Sequence, residues 1–275
     1  MKCSVRGVAL AAALVSTSAG AAEDWIDDLV THSRFVLGAA LQNHPEYSGS
    51  DRRKTSLSPV LAYEYGWLRV SASGAGAILG FGQDARGPGA SAAFIDRSDL
   101  KLGVGLRIDS GRKSSDSIDL TGFEDIKRSV RGRVYASYAL DERWTLVGNV
   151  SQDLLNRRGG ALASTDLAYR LPLSPTTQAS FGAGVNWADT TRMRSYYGVS
   201  DAAAARSSLP VFRPDAGLLD VHAGAGLVTG FTPRWIGFAN AGVARLVSEA
   251  AASPLTRSPT SASVAVGLAY RCCTP

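Results

Sequence analysis

Apolar residues alternate with small or polar residues along several segments of this chain, and no other feature restricts its fold as strongly. Between residues 100 and 109 every even position is apolar, and the odd positions are Lys101, Gly103, Gly105, Arg107 and Asp109. Residues 180–187 and 263–270 repeat the pattern. Successive side chains of a β-strand point to opposite faces, so each segment is typical of a strand with one apolar face. The sequence therefore predicts an all-β protein.

A soluble β-sandwich also produces alternation, so strand length and charge placement must separate it from a membrane barrel. The alternating segments run for about ten residues, as a tilted strand needs to cross a bilayer, whereas soluble strands usually have about five or six. Arg107, Arg131 and Arg133 fall on the small-residue face, and a wet lumen suits them better than a dry core. We predict a closed antiparallel transmembrane β-barrel with these arginines as candidate lumen-lining residues.

The order of short and long connections predicts about 12 strands. In outer-membrane barrels short turns face the periplasm and long loops face outward. Without a strand at residues 89–96, the long connection 110–128 would lie on the same side as the short turns. The predicted strands lie near 34–43, 55–65, 67–75, 89–96, 99–109, 129–140, 144–154, 161–171, 176–188, 216–230, 235–247 and 260–271.

Aromatic residues gather at the strand ends beside the short turns. Their rings prefer the boundary between lipid and water, so they predict a girdle at the periplasmic end of a barrel. A sandwich has no reason to collect them at one end. The predicted girdle consists of Tyr65, Trp67, Tyr138, Trp144, Tyr169, Trp235 and Tyr270.

Residues 1–21 have the three parts of a secretory signal peptide: the basic Lys2 and Arg6, an apolar stretch at 8–15, and small residues at 19–21. The apolar stretch is too short to span a bilayer of about 30 Å as a helix. We predict its removal, which leaves residues 22–275 as a single outer-membrane β-barrel domain. The formal net charge of +5 then falls to +3, because Lys2 and Arg6 leave and no acidic residue does. So small and dispersed a charge does not indicate nucleic-acid binding.

No sequence pattern typical of a catalytic, cofactor or metal site was found. His32, His44 and His222 are isolated, without further ligands at metal-site spacing. Glycine pairs such as Gly182 and Gly184 lie inside alternating strands, where small inward residues are expected, so they do not indicate nucleotide binding. We predict that the protein is not an enzyme and holds no cofactor or metal. One alternative stays open, because His222 and Asp220 share a strand face and could join a lumenal catalytic site.

Several segments together resemble the MipA/OmpV family of outer-membrane proteins, and the resemblance covers essentially all of residues 22–275. The segments that carry it are residues 45–51 (PEYSGSD), 195–199 (SYYGV), 207–210 (SSLP), 245–246 (RL), 253–255 (SPL) and 267–271 (GLAYR). The resemblance implies an outer-membrane barrel that acts as a scaffold and joins a lytic transglycosylase to a penicillin-binding protein during murein synthesis. It supplies no catalytic residues.

Two further expectations concern other roles and partners. A porin-like channel or an adhesin is the alternative function, and in a channel Arg107, Arg131 and Arg133 would favour anions. The basic cluster at residues 51–54 (DRRK) lies on the outward side of the predicted barrel. It could contact anionic lipopolysaccharide, but a solvated loop tip is the favoured interpretation.

Overall fold

The computed structural model describes residues 35–65, 68–71 and 88–272. The predicted signal peptide at residues 1–21, the segment 23–34 that precedes the first strand, Trp67 and Cys273 lie outside these ranges. The strand predicted at 67–75 is described at residues 68–71 only.

Strands account for most of the described residues, as the alternation predicts. The strands are β1 (Phe35–Pro45), β2 (Arg53–Tyr65), β3 (Leu68–Ser71), β4 (Gly89–Asp96), β5 (Leu100–Asp109), β6 (Ser129–Ala139), β7 (Trp144–Asp153), β8 (Ala161–Ser174), β9 (Thr177–Ala188), β10 (Gly217–Gly230), β11 (Trp235–Leu246) and β12 (Thr260–Cys272).

The twelve strands form one closed ring, so the predicted barrel and its strand count are confirmed. Each strand pairs antiparallel with its sequence neighbours, and β12 closes the ring on β1, with Phe35 opposite Cys272 and Asn43 opposite Val264. Each described strand thus has a hydrogen-bonded neighbour on both sides, and a closed ring is the form in which strands can cross a hydrocarbon environment. The turn predicted at 172–175 is shorter than expected. β8 continues to Ser174 because Pro172, which lacks an N–H, lies at a register shift that tolerates it.

The two ends of the barrel differ. The connections 97–99, 140–143, 175–176 and 231–234 leave one end, and the loops 46–52, 110–128, 154–160, 189–216 and 247–259 leave the other. We call these the short-turn end and the long-loop end. The long loops contain short 3-10 helices at Ser114–Asp116 and Ile118–Leu120 and three α-helices: α1 (Thr190–Tyr197), α2 (Asp201–Ser207) and α3 (Ser248–Ala252). Among the described residues, no helix combines the length and hydropathy of a membrane span.

Exposure along the strands follows the two-residue period. On β5, Val104, Leu106 and Ile108 are exposed on the outer face, whereas Gly103 is buried on the inner face. Gly103 lies opposite Tyr135 on β6, and a Cβ at position 103 would come within 2.4 Å of the tyrosine ring. The absence of a side chain at Gly103 therefore lets the Tyr135 ring pack across the inner face of β5.

A group of inward apolar side chains fills part of the lumen towards the short-turn end. It consists of Val36, Ala40, Val60, Phe238 and Ala269. The Phe238 ring lies over Gly267 on the neighbouring strand, where a Cβ would come within 2.3 Å of it. Towards the short-turn end, the inner face along β11, β12, β1 and β2 is therefore largely apolar, and the buried Arg271 of β12 lies on that same face.

The candidate functional site: a capped lumen

Four long loops form a single packed unit, which we call the cap: residues 46–52, 110–128, 189–216 and 247–259. Its core is an apolar cluster of Tyr47, Leu120, Phe123, Val199, Ala203 and Leu255. These loops leave the rim between β1 and β2, β5 and β6, β9 and β10, and β11 and β12, so some start a third of the ring apart. Since they still meet in one cluster, the cap extends across the mouth of the barrel.

Helix α1 is the part of the cap that packs against the inner wall of the barrel. Asp189 caps the helix by accepting a hydrogen bond from the backbone N–H of Arg192 at 2.8 Å, as its sequence position favours. Met193 and Tyr197 are buried against the inward Leu162 and Leu219 of the wall. Burial raises the pKa of Tyr197 to about 12, and its hydroxyl donates to Ser48 Oγ at 2.8 Å.

Arg112 joins two of the loops. It is buried, and its Nη1 donates to the backbone oxygen of Tyr196 at 2.7 Å. Its guanidinium lies 5.9 Å from the ring centroids of both Phe123 and Tyr196, within the range of cation–π attraction. Burial lowers the pKa of Arg112 and raises that of Tyr196. The 110–128 loop is thus attached to α1 by a charged hydrogen bond and one cation–π contact, both to Tyr196, and the contact with Phe123 lies within the loop itself.

Arg131 faces the inside of the ring and is buried, with 3% of its surface exposed. Its Nη1 donates to the Gly159 backbone oxygen at 2.9 Å, and its Nη2 donates to Ser151. Asp109 lies 3.6 Å from Arg131 Nη1 and 3.3 Å from Arg192 Nη1. A buried charge is stable only with such partners. The Arg131–Asp109–Arg192 group therefore holds α1 to the wall.

The structure places Arg107 and Arg133 on the inner face as well, both half-buried. Arg107 is directly opposite Arg131 on the neighbouring strand, and Arg133 is opposite Gly105. The Arg133 guanidinium lies 5.3 Å from the ring centroid of Tyr135. The three predicted lumen-lining arginines are therefore neighbours on β5 and β6, below the cap.

A second polar group, which the sequence indicated only in part, crosses β8, β9 and β10. His222 Nδ1 lies 3.0 Å from Asp220 Oδ1 and its Nε2 lies 2.7 Å from Asp166 Oδ1. Asn186 donates to both oxygens of the fully buried Asp220. His222 reaches Asp166 across β9 because the intervening residue is Gly184, where a Cβ would lie 2.8 Å from Nε2.

The predicted pairing of His222 with Asp220 is thus present, whereas Asp166 and Asn186 were not anticipated. They lie 56 and 36 residues away in sequence, and only the strand register brings them together. The only sequence feature that pointed to this contact was Gly184, an inward glycine on the strand between β8 and β10, whose inner faces are polar. Within the described ranges, no group of three or more His, Cys, Asp or Glu side chains has the geometry to hold a metal ion.

The basic cluster predicted at residues 51–54 divides between two surfaces. Arg52 lies 3.8 Å from Asp119, which also contacts Arg257 at 3.3 Å, so Arg52 belongs to the cap. Arg53 lies on the outer wall of β2. Its Nε donates to Asn43 Oδ1 at 2.6 Å and its Nη1 donates to the Ala262 backbone oxygen at 2.9 Å.

The aromatic girdle is present at the short-turn end. The Trp144 and Tyr169 ring centroids lie 4.8 Å apart, and those of Trp235 and Tyr270 lie 5.3 Å apart. Trp144, Trp235 and Tyr138 are also exposed on the outer wall. This arrangement fits a lipid–water boundary at that end.

Comparison with known families decides what kind of barrel this is. Residues 37–272 match the family described as MltA-interacting protein MipA. The chain belongs to the MipA family. The match spans all twelve strands except the first residues of β1. This MipA-family protein is therefore a β-barrel of the outer membrane. In such barrels short turns generally face the periplasm and long loops face outward.

Solved structures with a similar arrangement of strands include several outer-membrane barrels. The KdgM porin aligns over 86% of this chain and 98% of its own, at 8% identity and a TM-score of 0.43. The NanC porin gives the same coverage and identity at a TM-score of 0.44. A bacterial polysaccharide outer membrane secretin covers 88% of this chain and 99% of its own, at 10% identity and a TM-score of 0.44. A search among curated proteins gave no match.

Proposed function

We propose that this protein is a scaffold of the cell envelope: a capped barrel that fixes a lytic transglycosylase and a penicillin-binding protein at the inner surface of the outer membrane. The observation that supports this proposal is the packed cap across the long-loop end of the barrel. A barrel whose outer mouth is filled by packed side chains is suited to anchoring partners on its periplasmic end, and poorly suited to passing solutes.

The composition of the cap supports closure. Met193 of α1, Ala250 of α3 and Leu120 of the 110–128 loop are 0% exposed. To admit a solute, these side chains would have to leave their packing and face water, and each large one would lose about 1.5–3 kcal/mol of burial free energy. The porin-like alternative would require this cost at every opening.

The periplasmic turns are the surface on which partners would bind. Leu140 and Phe231 are exposed on two of these turns, at 53% and 64%. The family description names an interaction with MltA, and we extend that interaction to this chain as part of the proposal.

Binding to a purified lytic transglycosylase of the MltA type tests the scaffold directly. The barrel is immobilised in detergent, and the enzyme is passed over the wild type, over the double variant Leu140→Ser/Phe231→Ser, and over Ile118→Ser. Ile118 is an equally exposed apolar residue, 68% exposed, on the cap. We expect binding to the wild type and to Ile118→Ser and loss of binding in the periplasmic double variant. Absence of binding to the wild type would contradict the proposal.

Planar-bilayer recording tests the second part of the proposal, that the cap closes the lumen to solutes. Purified wild-type protein should show no steady conductance at moderate voltage, because the cap closes the lumen. A stable, reproducible conductance step would instead favour the porin-like channel.

A further inference from the structure

A shallow apolar groove runs across the outer wall over β9, β10, β11, β12 and β1 and ends at Thr55 of β2. Its floor consists of four alanines and its sides of larger residues. The alanines are Ala179, Ala225, Ala239 and Ala241, and the larger residues are Leu41, Phe181, Leu227, Val264 and Val266. The strand register connects them laterally, because Leu41 pairs with Val266, Val266 with Ala239, and Ala239 with Leu227.

The groove opens to the membrane. Leu41, Phe181 and Val266 are 51%, 46% and 57% exposed on the face opposite the buried lumen side chains. On a membrane barrel this face contacts acyl chains. Because the floor residues end at Cβ, an acyl chain can lie deeper here than over the surrounding larger side chains.

The guanidinium of Arg53, fixed by hydrogen bonds, lies at the long-loop end of the groove. Asn43 and Thr55 line that end and are hydrogen-bonded to each other at 2.8 Å. Asn43 accepts from Arg53 Nε at 2.6 Å through its side chain and from Nη2 at 3.3 Å through its backbone oxygen. Together with the bond from Nη1 to Ala262, these contacts hold Arg53 flat on the wall, and its guanidinium keeps donors for a further acceptor.

A second exposed cation lies on the same outer rim. Arg245 of β11 is adjacent in register to Val221 and Thr260, on the outer face. Strands β1 and β12 separate it from Arg53, so at about 4.8 Å per strand the two lie roughly 14 Å apart along the ring. The long-loop end faces outward, so both cations lie at the headgroup level of the outer leaflet.

We propose that this groove binds a phosphorylated glycolipid of the outer leaflet, the lipid A part of lipopolysaccharide. One of its acyl chains lies on the alanine floor, and a phosphate accepts hydrogen bonds from Arg53, with Arg245 placed for a second anionic group. The charge of the rim matches the phosphates, and the apolar floor matches the chain. Guanidinium groups bind phosphate oxygens especially well because several N–H groups point the same way.

The test is native mass spectrometry of the intact barrel, released from detergent after incubation with bisphosphorylated lipid A, with dephosphorylated lipid A, or with phosphatidylglycerol. Four variants are compared with the wild type. Arg53→Gln removes the charge, and Lys54→Ala removes a neighbouring charge on the opposite strand face. Ala241→Phe fills the groove, and Ala183→Phe adds the same bulk on the outer wall of β9 beside it. Folding of every variant is checked by heat-dependent migration on gels.

We expect the wild type to retain bisphosphorylated lipid A over both other lipids. Arg53→Gln and Ala241→Phe should each weaken retention about tenfold, as loss of one charged hydrogen bond or of one chain contact implies, while Lys54→Ala and Ala183→Phe leave it unchanged. Equal retention of the dephosphorylated lipid or of phosphatidylglycerol would overturn the proposal. So would unchanged retention by folded Arg53→Gln together with folded Ala241→Phe.

Discussion

Arg112 and Tyr196 join two loops that leave the barrel rim from different sides, through a 2.7 Å hydrogen bond between a buried guanidinium and a backbone oxygen. Replacing Arg112 by alanine removes that bond and two ring contacts at once. A hydrogen bond to a charged group contributes about 1.5–3 kcal/mol, so the cap should loosen while the strands stay paired. Limited proteolysis should then cleave residues 110–128 much faster than in the wild type.

The matched control for this variant is Lys113→Ala, which removes an exposed charge from the next position. It should leave the cleavage rate unchanged. Equal protease resistance of Arg112→Ala and the wild type would show that the apolar cluster alone holds the cap. If the cap closes the lumen, Arg112→Ala should also show transient conductance that the wild type lacks.

Leu167 and Ala168 are neighbours near the middle of β8 that face opposite ways. Leu167 is exposed on the outer wall, and Ala168 faces the lumen beside Thr145 and Gly182. Leu167→Arg should lower the free energy of unfolding by about 2–4 kcal/mol, because it places a guanidinium near the bilayer midplane. Ala168→Arg should cost clearly less. Urea titration of the barrel folded in lipid vesicles measures both, and equal losses would contradict the assigned faces.

His222 lies between the fully buried Asp220 and the mostly buried Asp166, whose side chain is 14% exposed. His222→Ala would leave Asp166 and Asp220 facing each other without the group that separates them, and removing one member of a buried charged group typically costs about 3–5 kcal/mol. Adding Asp166→Asn and Asp220→Asn to this variant should restore much of the loss. A single variant as stable as the wild type would mean that the network contributes little to the fold.

Asp141 orders the turn between β6 and β7. It accepts backbone hydrogen bonds from Arg143 and Trp144, both at 2.7 Å, and these bonds lower its pKa. A lowered folded-state pKa means that the stabilisation is present above the ordinary aspartate value of about 3.9 and is lost as pH falls through the folded value. The unfolding midpoint of Asp141→Ala should therefore depend less on pH below about 4 than that of the wild type.

Glu142→Ala is the control for this acid effect, because it removes the next carboxylate and leaves both hydrogen bonds of Asp141 in place. Its unfolding midpoint should change with pH as that of the wild type does. An identical acid dependence of Asp141→Ala and the wild type would show that the turn makes no contribution to the pH profile.

The alternation of side chains was sufficient to predict the barrel and its strands, because in a membrane wall each position has only lipid or lumen beside it. The pattern at residues 100–109 is one example, and the exposure of Val104 and Leu106 confirms it. Even the weak strand at 89–96 could be placed, since the order of short and long connections required it.

Contacts between distant strands could not be predicted in the same way. Asp166 reaches His222 only through the register across Gly184, and nothing near either residue in sequence indicates that register. The cap had no periodic pattern at all. Its core combines residues from four loops, and the sequence showed that those loops were long and carried family-like segments, but not how they pack together.

The bond between Tyr47 and Leu255 gives the cap a further property. The Tyr47 hydroxyl donates to the Leu255 backbone oxygen at 3.0 Å, although 208 residues separate them. Tyr47 follows β1 and Leu255 precedes β12, so their bond lies beside the pairing that joins the first and last strands of the ring. We therefore expect the cap to complete its core only when β1 and β12 have paired, so that an intact cap at the cell surface would indicate a closed barrel.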